Sequence, residues 1–235
     1  MSSAFKVFGS NALRTVLLDC LPAFDRTQGV TTTVDFGATN HTLATMRAGA
    51  TADLVIATAA AIDALIADGK IIQGTRIDLA TAGIGACVRA SAPRPDISTV
   101  DALKRTLLEA KSISYSKAGQ SGLHMAKVIQ QLGIADVVNA KAKINESGLV
   151  GEVVLRGEVE LGFQQASEIL AVKGVDLIGL LPDAVQLNSL FAAGIGTGTQ
   201  QRNAAQALIQ QLCTAQAARV MRENGLTPVA RSPMQ

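Results

Sequence analysis

The chain has no tryptophan and a single tyrosine in 235 residues, so the aromatic platforms on which single-stranded nucleic acid stacks are missing. Excess charge is missing as well. The 21 Lys and Arg stand against 19 Asp and Glu, a formal net charge of +2, too little for a binder of phosphate backbones; no nucleic-acid partner is expected. Asp, Arg or Gly interrupts every apolar run before it reaches the roughly 18 residues of a membrane span, so no membrane insertion is expected. Cysteine is scarce and scattered: Cys20, Cys87 and Cys213 lie far apart, each in apolar sequence (LLDCL, GACVR, QLCTA). Such a set suits neither a disulfide framework nor a zinc site and reads as core thiols. A Walker loop is absent, and no GxGxxG follows the first strand; Gly194-Ile195-Gly196-Thr197-Gly198 lacks a strand-to-helix setting and reads as a hinge or loop. No cofactor and no metal is expected.

What is present is a core-forming chain, 48% hydrophobic with a mean hydropathy of +0.29, in which frequent alanine points to a close-packed, small-residue interior. At this length roughly three quarters of the unfolded surface is buried, in one large domain or two small ones. The opening MSSAFKVFGS has no basic segment, apolar stretch and cleavage site in succession. A cytoplasmic protein is expected as the chain is written, or a periplasmic one if a leader has been removed.

The pattern along the chain is strand, polar turn, helix, repeated. Phe5–Phe8 is apolar, Gly9-Ser10-Asn11 is a turn, and Ala12–Phe24 has apolar residues at helical spacing. Thr31–Phe36, the turn Gly37-Ala38-Thr39-Asn40 and the helical run His41–Ala48 form a second copy; Asp53–Ala57 and Ala60–Asp68, closed by Gly69, form a third. After the strand Ile84–Ala90 the punctuation changes to a proline-bracketed loop, and a helix opens with Ser98 as its N-cap. Strand Ile113–Tyr115, a small-residue loop Ser116–Gly122 and helix Leu123–Leu132 follow, then strands Lys141–Asn145 and Val159–Gln164 around a helix Leu149–Arg156. Leu190–Thr197 reads as a strand returning to the first unit, and Gln201–Asn224 as one long helix. The expected class is α/β, with a second unit interrupting the first.

Three loops share one design, in which a strand runs into Gly, Ser, Thr or Asn and a helix opens at once. In open α/β sheets ligands bind beyond the carboxyl ends of the strands. There, free N–H groups and the positive end of a helix dipole hold an anion, and glycine allows close approach. The candidate binding residues are therefore Ser10 and Asn11 in the first loop, Thr39 and Asn40 in the second, and Ser116, Gly119, Gln120, Ser121 and Gly122 in the third, with a small anion as the partner.

The stretches VFGSNALRTVLLDCLPAF, VDFGATNHTLATMRAGATADLVIATAAAIDAL, SYSKAGQSGLHMAKVIQQLG and VVLRGEVELGFQQASEIL together resemble the molybdate-binding, type II periplasmic solute-binding proteins, over nearly the whole chain and in order. The resemblance implies two lobes, 1–83 with 192–235 and 84–191. Each is a mostly parallel sheet flanked by helices, with the ligand cleft between lobes and hinges near Ala82–Gly85 and Leu190–Gly194. It also implies a departure in the site: Ala12 stands where the family carries a first-loop hydroxyl, Thr39 keeps the second-loop hydroxyl, and Gln165 stands where the family has tyrosine. Amides at Asn11, Asn40, Gln120, Gln164 and Gln165 suit carboxylates better than they suit a bare metal oxyanion, with Lys117 and Arg89 as sources of charge.

His124 lies in the first turn of the helix expected to open at Gly122, where the dipole favours a neutral imidazole able to relay a proton. His41 has a similar but weaker claim. Some members of the wider family resemble this chain and isomerise small polycarboxylates, aconitate isomerase being the example. With His124 and Ser116 as the catalytic pair, the expected function is binding of an organic di- or tricarboxylate, with its isomerisation by proton transfer. The alternative is an oxyanion-type solute-binding protein, partnered by an ABC permease if exported, or an intracellular anion sensor.

Overall fold

A computed structural model describes residues 3–230. The chain divides into two compact units, one reaching Thr81 and resuming at Leu190, the other spanning Ala82–Ser189. The expected boundaries lie two residues further along at each crossing.

The first unit opens with strand β1 (Ser3–Ser10), a short 3-10 turn at Asn11–Leu13, and helix α1 (Arg14–Gln28), which Gly29 ends in the left-handed region at φ 65°. Then follow β2 (Val30–Gly37), α2 (Thr39–Arg47), β3 (Leu54–Thr58), α3 (Ala59–Ala67) and β4 (Ile77–Ala82). The chain enters the second unit through β5 (Ile84–Arg89) and continues with α4 (Val100–Glu109), β6 (Ile113–Tyr115), α5 (Gln120–Gln131) and α6 (Ala135–Asn139). It completes that unit with α7 (Val150–Leu155), β7 (Leu161–Gln165), α8 (Ala166–Leu170) and β8 (Val175–Leu180). Strand β9 (Ser189–Ile195), α9 (Arg202–Leu212), α10 (Ala215–Glu223) and β10 (Leu226–Pro228) finish the first unit.

The sheet of the first unit has the order β10-β4-β9-β3-β1-β2, with β1 parallel to β2 and β3, and β3 antiparallel to β9. Its inner strand β3 is buried along its length, as an apolar run covered on both faces must be, whereas β2 at the sheet end alternates. Helix α1 is fastened to the sheet through Phe24, whose ring centroid lies 5.3 Å from that of Phe5. The second sheet has the order β6-β7-β5-β8, with β6 and β7 parallel and β5 antiparallel to both β7 and β8. Its core gathers Ile84, Val88, Leu103, Ile113, Met125, Ile129 and Phe163.

Several local expectations are corrected. Residues 120–122 belong to α5 rather than to the preceding loop. Lys141–Asn145 forms only isolated bridges, Ile113 to Ala142 and Ser116 to Asn145, and the Lys141 ammonium donates to the carbonyls of Leu108 and Ala110. Thr99, not Ser98, caps α4: its hydroxyl accepts from the Ala102 N–H at 3.1 Å, while the Ser98 N–H donates to Asp96. The long C-terminal helix is two helices, because Thr214 accepts from the Ala217 N–H and starts α10 afresh. Gly194 lies inside β9, where a Cβ would meet Ile71 Cγ2 at 2.7 Å, so only the residues after Ile195 form a loop. Cys20 and Cys87 are buried, and burial pushes their thiols up to about 11 and about 12; Cys213 is half-buried.

Candidate functional site

In the first unit the parallel strands β1, β2 and β3 end on one edge of the sheet. Register pairs Ser10 with Gly37, bringing the first two predicted loops side by side. Ser10 is buried and accepts from the Ala12 N–H at 3.3 Å, closing the turn from which Asn11 begins. Thr39 and Asn40 are the first two residues of α2, whose N-cap is Ala38, a residue with no side-chain acceptor to cap the helix. Gly37 is kept small by His41, since a Cβ there would lie 2.7 Å from the imidazole Cδ2. His41 itself is exposed, its Nε2 3.8 Å from the Asp35 carboxylate. Of the early arginines, Arg14 covers the Phe36 ring at 4.4 Å and Arg47 pairs with Asp68 at 2.7 Å.

In the second unit β6 and β7 end together, β6 running into Ser116 and β7 into α8. The third loop is drawn tight by Ser116: its hydroxyl accepts from the Gly119 N–H at 2.9 Å, and its carbonyl oxygen sits where a Cβ on Gly122 would have to go. Glycine at 122 is therefore a requirement of close approach, which brings the N-terminus of α5 onto the end of β6. That helix starts at Gly119 with no capping side chain, followed by Gln120 and a buried Ser121. The bridged segment 141–145 is tied to the loop by the Lys117 N–H, which donates to the Asn145 carbonyl. The Lys117 ammonium pairs with Glu146 at an exposed position.

His124 falls in the second turn of α5, since the helix opens two residues before the expected Gly122. Its Nε2 lies 2.8 Å from the Val185 carbonyl. A carbonyl only accepts, so Nε2 carries the proton of the neutral ring and Nδ1 carries the lone pair.

Gln164 and Gln165, at the end of β7, are both buried and both engaged. The Gln164 amide oxygen accepts from the Val150 N–H at 2.7 Å, holding the start of α7. The Gln165 amide donates to the carbonyls of Ala82 at 3.0 Å and Gly83 at 3.1 Å and accepts from the Ser189 hydroxyl at 2.9 Å; the reverse orientation would set amide oxygen against carbonyl oxygen. Arg89 lies elsewhere. Register pairs Cys87 with Gly162, so Arg89 stands beyond the start of β7, at the opposite end of the sheet from Gln165. It lines a depression of about 520 Å³ there with Ser91, Lys111 and Glu160.

Sequence reasoning singled out Ser121 among the buried hydroxyls and missed Thr42, Thr58, Ser114 and Ser167. All five are more than nine-tenths buried, and the hydroxyls of Ser114 and Ser167 are fully enclosed with no hydrogen-bond partner among the described residues. Such groups are rare and call for an explanation. Four of the five lie in or at the first turn or so of a helix that follows a parallel strand: Thr42 in α2, Thr58 at α3, Ser121 in α5 and Ser167 in α8. Beside Ser167, Glu168 is buried with no cation paired to it among the described residues. Desolvation raises its carboxyl to about 7, against hydrogen bonds from the Gln165 N–H and the Gln164 amide. No group of three or more His, Cys, Asp or Glu converges as a metal site among the described residues, and no helix there is long and apolar enough to cross a membrane.

Comparisons with known proteins agree with the fold. Aconitate isomerase from Pseudomonas sp. is 35% identical over 233 residues, covering 97% of this chain and 88% of that protein. Among solved structures, the periplasmic molybdate-binding protein of Azotobacter vinelandii superposes with a TM-score of 0.78 at 18% identity, covering 97% of this chain and all of that one. The tungstate-binding protein of Desulfovibrio alaskensis superposes at 0.65 and 14% identity, covering 98% and 100%. Residues 5–227 match the family of bacterial extracellular solute-binding proteins, and the chain belongs to that family.

Proposed function

We infer that the protein binds a small organic di- or tricarboxylate at the helix N-termini of these strand ends and isomerises it by proton transfer. The observation that carries the reading, in each unit taken by itself, is that helices open at the ends of parallel strands without a capping side chain, α2 and α3 in the first unit and α5 in the second, with the enclosed, partnerless Ser167 hydroxyl in α8 of the second. Hydroxyls and uncapped N–H groups donate to carboxylate oxygens, and the helix dipoles favour the negative charge. The identity with aconitate isomerase supports the same ligand class.

The chemistry is a 1,3-proton shift. A base removes a proton from a methylene that is both allylic and α to a carboxylate. The electron pair delocalises through the double bond into the conjugated carboxylate, and the proton returns to the far carbon of the allyl unit. Atoms and charge balance without an oxidant or reductant. His124 holds its Nε2 proton on Val185 and offers Nδ1 as the base. The N–H groups at the start of α5, held in place by Ser116, stabilise the enolate-like charge.

Proton NMR of trans-aconitate with the protein in deuterium oxide tests this. The expected outcome is deuterium entry at the methylene and appearance of the cis isomer, lost in His124→Gln with binding retained. Binding of the acid without exchange or interconversion leaves a binding protein only. The second reading, an oxyanion receptor for an ABC permease, draws on the hydroxyls of Ser10 and Thr39. It is favoured if molybdate or tungstate binds and no carboxylate does.

A further inference from the structure

The geometry points to Thr58, at the end of β3, as a ligand-binding residue that selects a ligand with more than one carboxylate. This rests on the reading above and adds to it a third anchoring point in the first unit, which sequence reasoning did not single out.

Thr58 is the N-cap residue of α3, with the extended backbone usual there (φ −61°, ψ 148°). A threonine in that position ordinarily turns its hydroxyl onto the helix and accepts from its first N–H groups. Ser10, Thr99 and Thr214 in this chain do so, accepting from Ala12, Ala102 and Ala217. Thr58 makes no such bond, is 5% exposed, and has no other side-chain partner among the described residues. The residue is buried while its hydroxyl keeps a donor to offer. The helix it opens is nine residues long and begins Ala59-Ala60-Ala61, side chains that neither cap the N–H groups nor obstruct approach to them, and Ala60 is exposed. The α3 N-terminus is thus uncapped, accessible at Ala60, and accompanied by an unused donor.

Its place in the sheet indicates what it would bind. Register pairs Phe8 with Val55, and continuing it by three residues sets Thr58 beside Asn11, one strand away from the first predicted loop. The strand order β3-β1-β2 then spaces three strand ends, at Thr58, Ser10 and Gly37, along one edge. At about 4.8 Å per strand, the row is roughly 10 Å across. A tetrahedral oxyanion is smaller than that row and is held by part of it. A di- or tricarboxylate can place one carboxylate by Ser10 and Thr39 and another on Thr58 and the α3 N–H groups.

The test is isothermal titration calorimetry of trans-aconitate and of molybdate against the full chain and its Thr58→Val and Thr58→Ser variants, with melting temperatures recorded for each. A hydrogen bond to a charged group predicts a loss of roughly ten- to a hundredfold in trans-aconitate affinity for Thr58→Val. Thr58→Ser keeps the affinity within about twofold, and any molybdate affinity is unchanged in both. If the valine variant does not fold, Thr58→Ala gives the same comparison. Unchanged affinity in Thr58→Val, or an equal loss in Thr58→Ser, overturns the assignment, the second because shape rather than the hydroxyl would then matter. Failure of the unmodified protein to bind trans-aconitate or any other polycarboxylate overturns the functional reading itself, so the two failures are distinguishable.

Discussion

Glu168 shows what single residues in this protein withstand. Burial raises its carboxyl in the folded chain to about 7, against 4.5 for the unperturbed group, because desolvation outweighs its hydrogen bonds from Gln165 and Gln164. The native state therefore keeps the proton to higher pH than the unfolded chain does. The resulting stability is fully present below about pH 4.5 and is lost as pH rises through 7. A glutamine at this position stays neutral throughout. Glu168→Gln is predicted to gain stability relative to the parent between pH 5 and pH 8, by on the order of 3 kcal/mol, in urea unfolding followed at both pH values; parallel pH profiles would refute the buried-carboxylate argument. At this scale the proposed loop residues are conspicuous in the sequence. Ser10, Thr39, Ser116 and Gly122 stand out because glycine and hydroxyls interrupt apolar strands. Thr58, in ADLVIATAAAIDAL, passes as one more small residue of a buried run, and only its unused hydroxyl identifies it. Gln164 and Gln165 read as ligand amides in sequence, whereas their hydrogen bonds to Val150, Ala82, Gly83 and Ser189 depend on long-range pairing that local sequence does not carry.

Among the elements, those legible in sequence are the strongly patterned ones: β2, β3, β6 and the helices after them lie within a residue or two of expectation, apart from the earlier start of α5. Strands β4 and β8 were missed for a physical reason. Both carry half-buried positions rather than a clean alternation or a solid apolar run, and β8 includes Gly179. The C-terminal break was missed because apolar spacing continues across it. It is decided by Thr214, whose hydroxyl begins a second helix in competition with continuing the first. Thr214→Ala removes that cap and is predicted to destabilise the protein by about 1 kcal/mol, read as a lower urea midpoint at unchanged slope. No change would mean that packing of Ala217 and Val220 alone sets the start of α10.

For the whole molecule, the division into two units was legible because the strand-helix rhythm is broken by the proline-bracketed loop after β5 and resumes in β9. The exact crossings were not, since each falls inside a strand. Both crossings are fastened on the second unit's side by glutamines. Gln165 holds Ala82, Gly83 and Ser189, and Gln186 accepts from the Ile84 N–H at 2.8 Å and donates to the Ile84 carbonyl at 3.0 Å. With a net charge of only +2, long-range attraction contributes little to anion capture. The affinity must come from short-range donors, namely helix termini, hydroxyls and amides, and should therefore depend on ligand shape more than on ligand charge. Calorimetric titration of the full chain with cis-aconitate, trans-aconitate, molybdate and tungstate tests this most directly. The account predicts saturable binding of a tricarboxylate at one site per chain, tighter than either oxyanion; tight binding of molybdate or tungstate with no heat from any carboxylate would contradict it.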